Sequence, residues 1–97
     1  MKRPRLLTEE EISNQLREIQ WELRDGCIYK KYTFSKYMDG LNFLVKVGEM
    51  AEELDHHPIL TLGYCSLEIY LSTHEPKGIS ELDFQLGRKI EVFQKTT

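Results

Sequence analysis

Ile59-Leu60-Thr61-Leu62-Gly63-Tyr64-Cys65-Ser66-Leu67-Glu68-Ile69-Tyr70-Leu71-Ser72-Thr73 contains two extended runs with a reversal between them. Ile59 to Tyr64 is expected as one strand, Cys65–Ser66 as a tight reversal, and Leu67 to Thr73 as the next strand. In the second run Leu67, Ile69, Leu71 and Thr73 fall on one face, while Glu68, Tyr70, Ser72 and His74 fall on the other. Successive strand residues point to opposite sides, so this alternation predicts an antiparallel sheet with one covered face. The cover has to come from the flanking segments.

Upstream, Leu41, Leu44, Gly48 and Ala51 form one helical stripe, and Phe43, Val47, Met50 and Leu54 a neighbouring one. Ser35 is expected to cap this central helix, and Pro58 limits its continuation. The combined arc is wider than one sheet face needs, so the helix is expected to meet helix one or a partner chain as well. Gly48 would permit such a close approach. Downstream, Ser80 with Asp83 at the third helical position resembles a capping box, followed by an inward stripe of Leu82, Leu86, Ile90 and Phe93. Near the start, Thr8-x-x-Glu11 is a second capping box, and Ile12, Leu16 and Ile19 give the stripe of a helix ending near Ile19 or Gln20. Trp21 to Arg24 and Cys27 to Phe34 flank Asp25–Gly26, the strongest short hairpin signal in the chain. Lys30 interrupts the apolar face of Ile28, Tyr32 and Phe34, which places it near a sheet edge or directs its ammonium towards water. The expected order is α-β-β-α-β-β-α: an α+β fold, with a four-stranded antiparallel sheet and helices on one face.

At 97 residues, 40% apolar and 30% charged, residues 1–97 make one ordered domain, with residues 1–7 as a flexible arm. A net charge of −3 gives no reason to expect direct nucleic-acid binding, and Met1-Lys2-Arg3-Pro4-Arg5 is read as a solvated basic terminus. No apolar run approaches a membrane span or a secretory core, so a cytoplasmic location away from membranes is expected. Cys27 and Cys65 lack metal-ligand spacing and are expected as free thiols.

The three histidines fall in two short segments, Glu52-Glu53-Leu54-Asp55-His56-His57-Pro58 and Ser72-Thr73-His74-Glu75. If the helix exit and the strand end meet, imidazoles and carboxylates gather where proton transfer near neutral pH is possible. The bland alternatives are helix-capping or loop-edge histidines. Glu52 stands four residues before His56, a spacing that could orient its ring. Asp55 and Asp83 could fix imidazoles or bind polar ring atoms, and Trp21 could form an aromatic wall or simply pack. A metal is disfavoured, because an adjacent His-His pair is less convenient than an i,i+4 pair and no His-Glu-x-x-His pattern occurs. Neither a nucleophile elbow nor a glycine-rich phosphate loop is present.

Ala51-Glu52-Glu53-Leu54-Asp55-His56-His57-Pro58, Leu71-Ser72-Thr73-His74-Glu75 and Gly78-Ile79-Ser80-Glu81-Leu82-Asp83 together resemble the pterin-4a-carbinolamine dehydratases. Phe34-Ser35-Lys36-Tyr37 and Tyr64 are weaker matches, and Leu62 departs from a polar Asn frequent in that family. The resemblance implies a hydro-lyase that removes water from 4a-hydroxytetrahydropterin, recycling the pterin of aromatic amino-acid hydroxylases. It implies His56 and His74 as acid and base, and His57 as an assisting or pterin-binding residue. Glu52, Asp55 and Asp83 would support the site and Trp21 its wall, although the spacing after Trp21 differs from that expected of animal members. The pterin is then substrate, and no cofactor is expected. The resemblance further implies a homodimer or a dimer of dimers. Its alternative function is a non-catalytic dimerisation cofactor or coactivator of a homeodomain transcription factor, which would add a nuclear location.

Overall fold

The computed structural model describes residues 3–96. In chain order its elements are α1 (Glu9–Ile19), β1 (Glu22–Arg24), β2 (Cys27–Thr33), α2 (Tyr37–Leu54), β3 (Ile59–Leu62), β4 (Ser66–Leu71), β5 (Thr73–His74), β6 (Lys77–Gly78) and α3 (Glu81–Lys95). The first four strands make an antiparallel sheet in the order β1-β2-β4-β3, and β5 pairs with β6 as a separate small hairpin. Ile28 lies opposite Leu71 and Leu62 opposite Leu67, so the apolar positions of neighbouring strands coincide on one face. There they meet Phe43, Val47 and Ala51 of α2 and Phe84, Leu86 and Ile90 of α3 in one buried core. The α+β order expected from the sequence is the observed one. No helix among the described residues is long and apolar enough to cross a membrane.

Local chemistry explains the clearest boundaries. Asp25 (φ 53°) and Gly26 (φ 75°) are both left-handed, the geometry that lets a two-residue turn follow the twist of its strands. At α1 the Thr8 hydroxyl accepts from the Glu11 N–H at 3.2 Å, and the Glu11 carboxylate accepts from the Thr8 N–H at 2.8 Å. The Arg5 guanidinium donates to both Glu11 oxygens at 3.1 Å and holds that carboxyl down at about 2. The contact is therefore complete above the ordinary carboxylate range and fades only as pH falls through about 2.

Several expectations need correction. β3 stops at Leu62, since the Gly63 N–H already donates to the Ser66 carbonyl at 2.8 Å and closes the turn. The strand expected through Thr73 breaks after Leu71, and Thr73–His74 pairs instead with Lys77–Gly78. Part of the expected Pro76–Lys77–Gly78 loop is thus a strand. Of the two placements expected for Lys30, the sheet edge is excluded, since it lies on an interior strand, and its partly exposed side chain carries the ammonium to the Gln20 carbonyl at 3.1 Å. The expected arm is held at its inner end: Leu6 bridges to Ser80, and the Leu7 N–H donates to the Ile79 carbonyl at 2.8 Å. Met1 and Lys2 lie outside the described residues. Among the described residues outside its own helical turn, nothing lies within 4 Å of where a Cβ on Gly48 would stand, so the expected close approach to helix one is not made there.

The expected cap of α2 also shifts by one residue. Lys36, not Ser35, occupies the N-cap, and its side chain makes no capping bond. Lysine has no acceptor for the free helical N–H groups. Lys36→Ser supplies one and is expected to raise stability by about 0.5–1 kcal/mol, read as a higher urea midpoint with an unchanged m-value.

Candidate active site

The last turn of α2 sets the histidine geometry. Asp55 is left-handed (φ 50°), the Asp55 N–H donates to the Glu52 carbonyl at 3.1 Å, and the His56 N–H donates to the Ala51 carbonyl at 3.0 Å. This is a Schellman closure, normally built on glycine; aspartate is among the few residues that tolerate its backbone. The reversal turns His56 inward, where it is 8% exposed, and leaves His57 outside.

His56 Nε2 lies 2.5 Å from Asp83 Oδ1. The other oxygen, Asp83 Oδ2, accepts from the Thr73 hydroxyl and from the Ser80 N–H, each at 2.9 Å. The Ser80 and Thr73 hydroxyls are 2.6 Å apart. Asp83 is completely buried, a position a carboxylate tolerates only when its oxygens are satisfied. Its place in the first turn of α3 adds the positive end of the helix dipole. The exit of α2, the β5 strand and the start of α3 thus meet on one carboxylate.

With Asp83 ionised, its oxygen can only accept, so His56 Nε2 carries the proton. Nδ1 is then the free nitrogen. Every sealed side-chain nitrogen or oxygen among the described residues has a hydrogen-bond partner, and Nδ1 has none. It therefore lies on the small part of His56 that solvent reaches.

The second pair is on the surface. His57 Nε2 lies 2.7 Å from Glu52 Oε1, with both side chains largely exposed. The helical spacing assigns Glu52 to His56; the Schellman turn gives it to His57 and gives His56 to Asp83. Asp55 is an exposed helix stop in the described structure, without a hydrogen-bonded imidazole. His74 is exposed, opposite Lys77 in the small hairpin, while its neighbour Thr73 turns inward to Asp83. Among the described residues no side chain is hydrogen-bonded to the His74 ring, and no group of three or more His, Cys, Asp or Glu could hold a metal ion.

Trp21 occupies a different neighbourhood. It is buried in the core, and its Nε1–H donates to Glu91 Oε2 at 3.2 Å. The Tyr32 hydroxyl donates to the same oxygen, and burial followed by that bond pushes its pKa up. Trp21 lies just before the β1 edge of the sheet, whereas His56 and His57 lie just before the β3 edge. Sequence reasoning read Ser80 only as a helix cap with Asp83, and it missed Glu91 and the Thr73 hydroxyl. Their one signal was position: Thr73 on the apolar face of an alternating strand, and Glu91 next to Ile90 on α3. A cavity of about 540 Å³ lies at the other end of α2, lined by Phe34, Asp39, Asn42, Phe43, Lys46 and Phe93 among others and by no histidine.

Comparison with known proteins places these features in a family. Residues 5–93 match the family model described as pterin 4 alpha carbinolamine dehydratase. A protein of Chelativorans sp. (strain BNC1), provisionally named pterin-4-alpha-carbinolamine dehydratase, is 37% identical over 90 residues, covering 90% of this chain and 92% of its own. A protein of Sulfurisphaera tokodaii with the same provisional name is 36% identical over 86 residues, covering 88% and 92%. The crystal structure of a transcriptional coactivator/pterin dehydratase from Brucella melitensis superposes with a TM-score of 0.86 at 31% identity, covering 91% of this chain and 97% of that one.

Proposed function

We propose, for a chain that belongs to the pterin 4 alpha carbinolamine dehydratase family, that it converts 4a-hydroxytetrahydropterin to quinonoid dihydropterin and water by imidazole acid–base catalysis. The observation that carries this reading is the buried Asp83–His56 pair with an accessible Nδ1. In the proposed step an imidazolium protonates the C4a hydroxyl, the C4a–O bond breaks, and water departs. Electrons from a ring nitrogen fill the vacated position, and that nitrogen's proton passes to a base. One proton enters and one leaves, so the balance requires no oxidant or reductant and the reading includes no cofactor.

His56 is assigned the central transfer through Nδ1, because its other nitrogen is committed to Asp83. His57, steadied by Glu52, is assigned an assisting or pterin-binding role, and His74 the second proton-transfer role across an open surface. A positioned side chain contributes typically about 10²–10⁴-fold to such a reaction. The test is turnover of freshly generated carbinolamine, with spontaneous dehydration subtracted, by folded His56→Ala, His57→Ala and His74→Ala proteins. His56→Ala is expected to lose about 100-fold or more, and the other two less. Parent rates in all three would end the proposal.

A second role in protein binding is favoured by the outer face of α2. Met38 and Val45 are exposed there, and Gly48 faces open space. A second copy of the chain, giving a homodimer or dimer of dimers, is the proposed cover. The name of the Brucella protein joins coactivator and dehydratase, which supports keeping a transcription-factor partner as the alternative.

A further inference from the structure

We propose that Thr73 and Ser80 are positioning residues for His56, acting through Asp83 as a directed hydroxyl relay. The direction follows from proton accounting. Thr73 Oγ1 has one proton, and it is donated to Asp83 Oδ2 at 2.9 Å. At the 2.6 Å contact between the two hydroxyls, Ser80 must therefore be the donor and Thr73 the acceptor. Ser80 also donates its backbone N–H to the same Asp83 oxygen at 2.9 Å. All the protons point the same way, from Ser80 through Thr73 to the carboxylate.

Two donors converging on Oδ2 stop the carboxylate from rotating about its Cβ–Cγ bond. Its remaining oxygen is then aimed at His56 Nε2, 2.5 Å away. Ser80 and Asp83 are completely buried and Thr73 is 4% exposed, so water cannot replace a lost donor without entering the core. The N-terminal segment closes over this end of the relay. Leu6 bridges to Ser80 and packs on Gly78, where a Cβ would stand 2.9 Å from Leu6 Cδ1. Sealed in this way, the two hydroxyls act on His56 through Asp83. Their effect is to hold the proton on Nε2 and keep Nδ1 as the working atom.

The first half of this inference concerns the hydrogen bond alone; the second rests on the dehydratase reading. Two measurements separate them. In ¹⁵N-labelled protein, solvent exchange of the His56 Nε2–H proton reports how firmly Asp83 holds it. Thr73→Val, which keeps the shape and removes the hydroxyl, is expected to speed that exchange at least tenfold, and Thr73→Ser to restore it. Ser80→Ala, which retains the backbone donor, is expected to speed it about threefold. It also supplies a second readable variant if Thr73→Val does not fold. In turnover, Thr73→Val is expected to lower kcat about tenfold with KM within twofold, again rescued by Thr73→Ser. A folded Thr73→Val with parental Nε2–H exchange overturns the relay, as does parental exchange in Ser80→Ala when Thr73→Val is unfolded. Slow exchange in the parent and its acceleration in the variants, with no turnover by any of them, keeps the relay and defeats the dehydratase reading.

Discussion

Asp83→Asn is expected to fold and to lose about 10²–10⁴-fold in carbinolamine turnover, because it inverts the His56 tautomer. The amide has one acceptor, and two donors, the Thr73 hydroxyl and the Ser80 N–H, already converge on the position of Oδ2. The amide oxygen is therefore drawn to that position, and the NH₂ group faces His56. Two donors cannot share a hydrogen bond, so His56 must present a lone pair at Nε2 and move its proton to Nδ1. The nitrogen that was open to substrate becomes a donor at the pH where it should accept. The same logic underlies the Asp→Asn change of the serine-protease triad, where the wrong tautomer costs about 10⁴-fold on an unrelated fold. The imidazole ¹⁵N spectrum checks the tautomer without substrate, and stopped-flow turnover checks the rate. Near-parental turnover by the folded variant would remove this pair from the chemistry. Unchanged tautomer with lost turnover would instead locate the defect in charge.

What is legible in the sequence divides along a physical line. Features set by a few neighbouring residues are readable: the Thr8–Glu11 box, the Asp25–Gly26 turn, and the alternation from Leu67 to Leu71. Features that depend on the direction a chain takes after an element are not. Glu52 stands four residues before His56, which is a contact only while the helix continues. The left-handed Asp55 ends it one residue early and exchanges the partners of the two histidines. The strand break after Leu71 is of the same kind, since Thr73 leaves the main sheet to pair with Gly78 while its hydroxyl meets Asp83. The chemistry-bearing residues are visible because imidazoles and carboxylates are unmistakable by type. Thr73 and Ser80 stay hidden because a hydroxyl looks the same whether it caps a helix or steadies a buried anion.

The reading of α3 shows how helix rotation is misjudged, and it leads to the largest expected loss of stability. Leu82, Leu86, Ile90 and Phe93 make the expected stripe, yet Leu82 and Phe93 are only half-buried, while Asp83, Phe84 and Gly87 are sealed. A Cβ on Gly87 would lie 3.4 Å from Ile19 and 3.7 Å from Ile28, so α3 packs closely on α1 and the sheet at once. A helix wedged between two neighbours buries a wider arc than a single stripe, and the wider arc takes in Phe84, which has no exposed surface. Phe84→Ala is therefore expected to cost about 3–5 kcal/mol, combining lost burial with the cavity left behind. Domains commonly have only about 5–15 kcal/mol in total, so much of the folded population's margin would go. Urea unfolding should show a much lower midpoint at constant m-value, and thermal unfolding a fall of about 15 °C or more. Phe84→Leu, which fills most of the space, should recover more than half of the loss. A Phe84→Ala midpoint within about 1 kcal/mol of the parent would mean that α3 can close the gap, and that Gly87 does not fix the helix against the sheet.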